Sequence, residues 1–259
     1  MVKKIIIANW KMNPPTLKEA KRLFDKVKKG IRGVKNTEVI ICPPFLYLSE
    51  LKAKSYKLKA QLGAQDVFWQ AGGPFTGEIS PEMLKEYGVT HVIIGHSERK
   101  KWLGETDEMI NKKVKAALKY GLIPVLCVGE REREVQGEIP HIVEEQVRAA
   151  LKGIRKGDFK NGIIAYEPVW AIGTGKAETP DNATRAALYI RKIVKSVLGS
   201  NTVEKIRVIY GGSVNAQNAA LFIAKDIRGM EGMLVGGASL KAEEFIQIVK
   251  NVVEADGRK

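Results

Sequence analysis

Val92-Ile93-Ile94, a segment with apolar positions at Ile110, Val114, Ala117 and Leu118, then Ile123-Pro124-Val125-Leu126: this succession decides the fold. The two end runs are continuously apolar, as strands buried on both faces of a parallel sheet must be. The middle segment repeats at helical spacing. A strand, a crossover helix and a second strand form the unit that builds parallel sheets.

The same unit recurs along the whole chain. Apolar runs begin near Ile5, Glu38, Lys59, His91, Ile123, Gly162, Arg207 and Gly232, a spacing of about 32 residues, the size of one strand-plus-helix unit. Between them, Ala183, Ala187, Ile190, Val194 and Val197 lie on one helical face. Thr179-Pro180 supplies a start signal for that helix and Gly199 a stop. Val143, Val147, Ala150 and Leu151 mark another helix, and Phe245, Ile248, Val249 and Val252 the last. Eight units admit an open doubly wound sheet or a closed (β/α)8 barrel. The count of eight and the 259-residue length favour the barrel, with residues 1–259 as one α/β domain. Chemistry is then expected just after each strand, at the C-terminal face.

Composition narrows the function classes. A net charge of +14 invites a nucleic-acid or membrane reading. However, residues 1–60 hold 15 basic and 4 acidic side chains, against 28 and 25 in residues 61–259. Most of that excess, including Lys18, Lys21, Lys26, Lys28 and Lys52, falls on predicted outer helices, where a solvated face is the default role. Steering of an anionic substrate is the alternative, which salt dependence separates. No aromatic-basic interleaving accompanies the lysines, so neither nucleic acid nor membrane is expected as a partner. Cys42 and Cys127 sit on separate apolar runs and are expected as buried free thiols. The four apolar residues Ile5 to Ala8 fall short of a signal-peptide core, and no run approaches a membrane span. A cytoplasmic location is expected. Thirty-one Lys and 22 Glu against seven Gln match thermophile composition.

The strand ends carry Asn9 and Lys11, Cys42-Pro43-Pro44, Gln65-Asp66, His96 with Glu98, Gly129-Glu130, Glu167, Gly211-Gly212-Ser213 and Gly236-Gly237. Neither H-E-x-x-H, paired His/Cys spacing nor a G-x-S-x-G elbow occurs, and the phosphate-loop and dinucleotide fingerprints are missing. No metal and no cofactor is therefore expected. A carboxylate, an imidazole, a lysine and several glycines converge on one rim.

Five blocks at these positions resemble the motifs of the triosephosphate isomerase family. They are Asn9-Trp10-Lys11-Met12-Asn13, Gly95-His96-Ser97-Glu98-Arg99, Ala165-Tyr166-Glu167-Pro168-Val169-Trp170-Ala171-Ile172-Gly173-Thr174-Gly175-Lys176, Tyr210-Gly211-Gly212-Ser213-Val214 and Leu234-Val235-Gly236-Gly237-Ala238-Ser239-Leu240. The resemblance runs from the first strand to the last helix. It implies a TIM barrel that isomerises dihydroxyacetone phosphate and D-glyceraldehyde 3-phosphate through an enediolate, without cofactor, in glycolysis and gluconeogenesis. It further implies Glu167 as the base, His96 as the electrophile that moves protons between the substrate oxygens, and Lys11 and Asn9 as stabilisers of negative charge. Glu98 takes a supporting role, pairing with Lys11. Gly212, Ser213, Gly236 and Gly237, with Asn9 and Lys11, would hold the phosphate, and Gly173 would add an N–H from a lid spanning 168–178. The family's loop after the third strand, here residues 66–77, docks into a second subunit, implying a homodimer, with tetramers in some heat-adapted members.

The residue types suit that chemistry on their own terms. A carboxylate needs a desolvated site to act on a carbon acid, and a helix opening at Ser97 would keep the His96 ring neutral. His91 and His141 are expected to be structural, the first placed before strand 4. Three departures stand out: Asp66 where a neutral asparagine is expected, putting a negative charge near Lys11, Pro74 where a small residue is expected, and the Glu/Arg-dense stretch 129–137. The rival readings are a Schiff-base aldolase, which needs a lysine that the strand before Glu167 lacks, and a nucleic-acid-binding protein with steeply salt-dependent affinity.

Overall fold

Eight parallel strands pair in chain order and close into a barrel: β1 (Lys4–Asn9), β2 (Thr37–Cys42), β3 (Ala60–Ala64), β4 (Val89–Ile94), β5 (Ile123–Val128), β6 (Ile163–Tyr166), β7 (Arg207–Tyr210) and β8 (Gly232–Val235). The computed structural model describes residues 3–55, 60–133, 138–172, 177–223 and 229–257. β8 returns to β1 with Val235 opposite Ala8, which leaves the sheet no open edge. The fold is thus the (β/α)8 TIM barrel that the repeat spacing predicts.

Alternation within each strand divides the core in two. Ile5, Ile7, Ile40, Ile93, Val125, Ile163, Ile209 and Leu234 fill the barrel. The alternate residues, such as Ile6, Val39, Val92 and Ile164, pack outward against the helices. Those helices are α1 (Leu17–Gly30), α2 (Leu48–Ser55), α3 (Pro81–Glu86), α4 (Ser97–Trp102), α5 (Asp107–Lys119), α6 (His141–Leu151), α7 (Pro180–Leu198), α8 (Ser200–Val203) and α9 (Ala242–Asp256). Their ends follow local chemistry. The Thr179 side chain caps α7 by accepting from the Asn182 N–H, Pro180 occupies its first turn, and Gly199 ends it at a φ of +83°. Helix α1 turns Ala20, Leu23, Phe24 and Val27 inward and its lysines toward solvent, where Lys21 and Lys26 pair with Glu50 and Glu243.

One imidazole corrects the sequence reading. His91 lies inside β4 rather than before it, 1% exposed, on the inward-facing parity of Ile93. Thr90, whose hydroxyl contacts His91 Nδ1, made the run look polar at its start and hid two strand residues. At the same N-terminal end of the barrel, Arg207 pairs with Glu38 at 2.7 Å.

Candidate functional site

The strand ends gather the expected side chains around one cavity of about 170 Å³. Asn9, Lys11, His96, Gly212, Ser213, Gly236 and Gly237 all line it. Each is placed by a specific local device. Lys11 follows β1 with a φ of +53°, a conformation that a side chain adopts only when its surroundings hold it. Here the Lys11 N–H donates to Asn9 Oδ1 at 3.0 Å and the Gln65 amide donates to the Lys11 carbonyl at 2.8 Å. Lys11 Nζ meets Glu98 Oε1 at 2.5 Å, the pairing the sequence suggests.

His96 is the N-cap of α4. Its Nδ1 accepts from the Glu98 backbone N–H at 3.2 Å, so the ring proton of the neutral imidazole sits on Nε2. The preceding Gly95, at a φ of +75°, makes the turn that brings the ring from the end of β4 into the cavity. Nε2 lies 3.4 Å from Glu167 Oε1.

Glu167 follows β6 and is 2% exposed. Its Oε2 accepts from the Ser97 N–H at 3.1 Å, whereas Oε1 has no hydrogen-bond partner among the described residues. The carboxylate lines a second, adjoining cavity of about 270 Å³ together with Ser97, Lys100 and Cys127. Burial raises the Cys127 thiol well above its ordinary range, and the nearby Glu167 charge adds to the effect. Both cysteines are free and buried. A Cβ on Gly129 would overlap the Glu167 carbonyl oxygen, and one on Gly212 would overlap the Tyr210 hydroxyl. These two glycines therefore serve close packing at the rim.

The comparisons agree with this geometry. The family model described as triosephosphate isomerase matches residues 4–252. The chain belongs to the triosephosphate isomerase family. Proteins named triosephosphate isomerase are similar throughout. That of Dictyoglomus thermophilum is 46% identical over 97% of this chain and all of its own length. That of Thermoanaerobacter sp. strain X514 is 46% identical over 96% and 99%, and that of Dehalococcoides mccartyi 45% over 95% of each.

Against this family background, one expectation changes and one falls outside the described residues. Asp66 does not add its charge beside Lys11. It is buried and ion-paired to Lys113 at 2.6 Å and to Arg99 at 2.8 Å, while Lys113 also pairs with Glu105. Burial raises its proton affinity and the Lys113 charge opposes the rise. Two cations explain how a carboxylate tolerates this position. Gly173 and the rest of 173–176 lie outside the described residues.

Sequence reasoning missed three contributors. Gln65 appeared only as a strand-end residue, yet its amide spans the carbonyls of Lys11 and Cys42. Ser97 contributes a backbone N–H, which no side-chain motif reveals. Arg133 lies in the stretch that looked foreign to the family. No described helix is long and apolar enough to cross a membrane.

Proposed function

We propose that this chain interconverts dihydroxyacetone phosphate and D-glyceraldehyde 3-phosphate, with Glu167 as base and His96 as electrophile. The observation that carries the reading is an imidazole and a lysine lining one glycine-rich cavity, with a buried carboxylate 3.4 Å from the imidazole.

Each role follows from its surroundings. Glu167 is held at Oε2 by a single N–H, so turning from Ser97 toward a substrate carbon breaks one hydrogen bond. In that position it takes a proton from the carbon bearing the hydroxyl and returns it to the neighbouring carbon. His96 gives its Nε2 proton to the carbonyl oxygen as the enediolate forms, then recovers one from the other oxygen. Lys11 Nζ and the Asn9 amide stabilise the oxyanion, and Glu98 keeps the lysine oriented. The phosphate sits on the backbone at Gly212-Ser213 and Gly236-Gly237, as barrels often arrange it after their seventh and eighth strands. A Cβ on Gly236 would come to 3.2 Å from Lys11 Cε, so a side chain there would push the lysine by a few tenths of an ångström. Gly173 adds a further N–H when the lid covers the cavity.

The whole chain acts as one barrel domain in the cytoplasm and pairs with a second copy. Exposed apolar side chains beside the site support the pairing: Met12 is 93% exposed next to Lys11, and Leu46 is 84% exposed after β2. Light scattering should return at least twice the 28.7 kDa chain mass. A coupled assay of the purified protein should show isomerase turnover, and Glu167→Gln should lower kcat about a thousandfold with an unchanged circular dichroism spectrum. Full activity in that variant refutes the assignment of the base.

A further inference from the structure

The stretch 129–137, which the family resemblance did not explain, holds a side chain that reaches the side chains flanking Glu167 in sequence, Tyr166 and Trp170. Arg133 is largely buried and converges on four residues. Its guanidinium donates to Glu130 Oε1 at 2.8 Å and lies 2.5 Å from the Tyr166 hydroxyl. It also pairs with Glu178, and its Cζ lies 5.5 Å from the centre of the Trp170 ring.

Those partners bracket Glu167 in sequence and in space. Tyr166 immediately precedes it, and the Tyr166 hydroxyl also donates to Glu130 Oε1 at 2.9 Å. After it, the Val169 N–H donates to the Glu130 carbonyl at 2.9 Å and Trp170 Nε1 donates to Glu130 Oε1 at 3.1 Å. Glu130 therefore ties both flanks of Glu167 to the end of β5, and its Oε1 accepts from three donors. Three donors on one carboxylate oxygen hold only if that carboxylate stays oriented. Arg133 supplies the contact that orients it, because a planar guanidinium can meet Glu130 and Glu178 at once. Glu178, 6% exposed, is itself fixed by the Thr179 N–H and by Asn182 at the start of α7. Its own N–H donates to the Tyr210 hydroxyl, at the end of β7.

We infer that Arg133 is a positioning residue for Glu167: by bridging Glu130 and Glu178, it clamps the ends of β5, β6 and β7 and so sets the aim of the base. Among the described residues, no other cation lies within 4 Å of either carboxylate. A lysine cannot reproduce the fork, since its single ammonium centre lacks the span. The inference rests on the reading of Glu167 as the catalytic base.

Arg133→Met retains the length and removes both charge and donors. Because misplacing a catalytic group by about 1 Å costs about a hundredfold in rate, kcat is expected to fall about ten- to a hundredfold. KM should stay within about twofold, since the phosphate contacts are elsewhere. Arg133→Lys should recover part of the loss. Both are measured well below the melting midpoint, with circular dichroism to establish the folded fraction. A kcat per folded molecule within twofold of the parent in Arg133→Met overturns the inference. If Arg133→Met does not fold, Glu178→Gln, which removes one arm of the clamp, is judged by the same kcat and KM criteria. Absence of isomerase turnover in the parent enzyme would instead overturn the functional reading, so the two failures are distinguishable.

Discussion

His91 and His96 stand five residues apart at opposite ends of one strand, and both are nearly sealed from solvent. At the N-terminal end, His91 sits among closely packed side chains, with the Arg207–Glu38 ion pair close enough for the Arg207 charge to act on its ring. At the C-terminal end, His96 lines a cavity, its ring oriented by a backbone N–H and its Nε2 turned toward a carboxylate oxygen that has no hydrogen bond among the described residues. The same residue type is spent on packing at one end and kept available at the other. In a barrel whose interior is solid with apolar side chains, polar groups survive only at the two mouths. The loops at the C-terminal mouth are the ones free to hold a ligand.

The contrast can be broken experimentally. The largest effect is expected from His96→Gln, which keeps a polar group but cannot exchange protons: kcat should fall about a hundredfold or more with the melting midpoint nearly unchanged. A variant as active as the parent would place the electrophile elsewhere. Next, Arg207→Met at the other mouth should leave kcat within twofold and lower stability by about 1 kcal/mol, as expected when a partly exposed carboxylate, Glu38, loses a charged hydrogen-bond partner. Chemical denaturation and the coupled assay measure the two quantities on one sample.

The smallest effect depends on pH. Burial, and secondarily the Arg207 charge, push the His91 imidazole down to about 3 from an ordinary 6.5. The folded protein thus keeps this ring neutral between those values while the unfolded chain takes up the proton. Stability attributable to His91 is therefore intact above about pH 6.5 and is lost as pH falls, at no more than about 1.4 kcal/mol per pH unit. His91→Gln should flatten that part of the dependence of the denaturation midpoint between pH 7 and pH 5. An unchanged slope would mean that the ring is not held neutral.

The barrel was legible because most of its strands hold short continuous apolar runs and its helices 3.6-residue periods, signals that survive in a single sequence. The groups proposed for catalysis were legible for a different reason: Glu167, His96 and Lys11 stand in motifs at strand ends. What escaped was carried by the backbone or by long side chains reaching across the chain. The Ser97 N–H that holds Glu167 would be present with almost any residue at 97. Arg133 meets Glu178 across 45 positions, and nothing local marks the encounter. Asp66 looked like a charge facing the site because its partners, Lys113 and Arg99, arrive from α5 and α4. His91 was misplaced because a polar residue at the head of a strand resembles a boundary until the opposite wall of the barrel is known.

The Gln65 amide has a consequence for how these positions can vary. Both of its N–H bonds end on main-chain oxygens, those of Lys11 and Cys42. Such a bridge is blind to the side chains it joins, so residues 11 and 42 can be exchanged without disturbing it, as long as their carbonyls stay in place. Position 65 has no such freedom. A glutamate there would set lone pairs against lone pairs, and an asparagine would fall a methylene short. Substitution studies should thus find the residue that performs no chemistry less replaceable than one of the residues it supports.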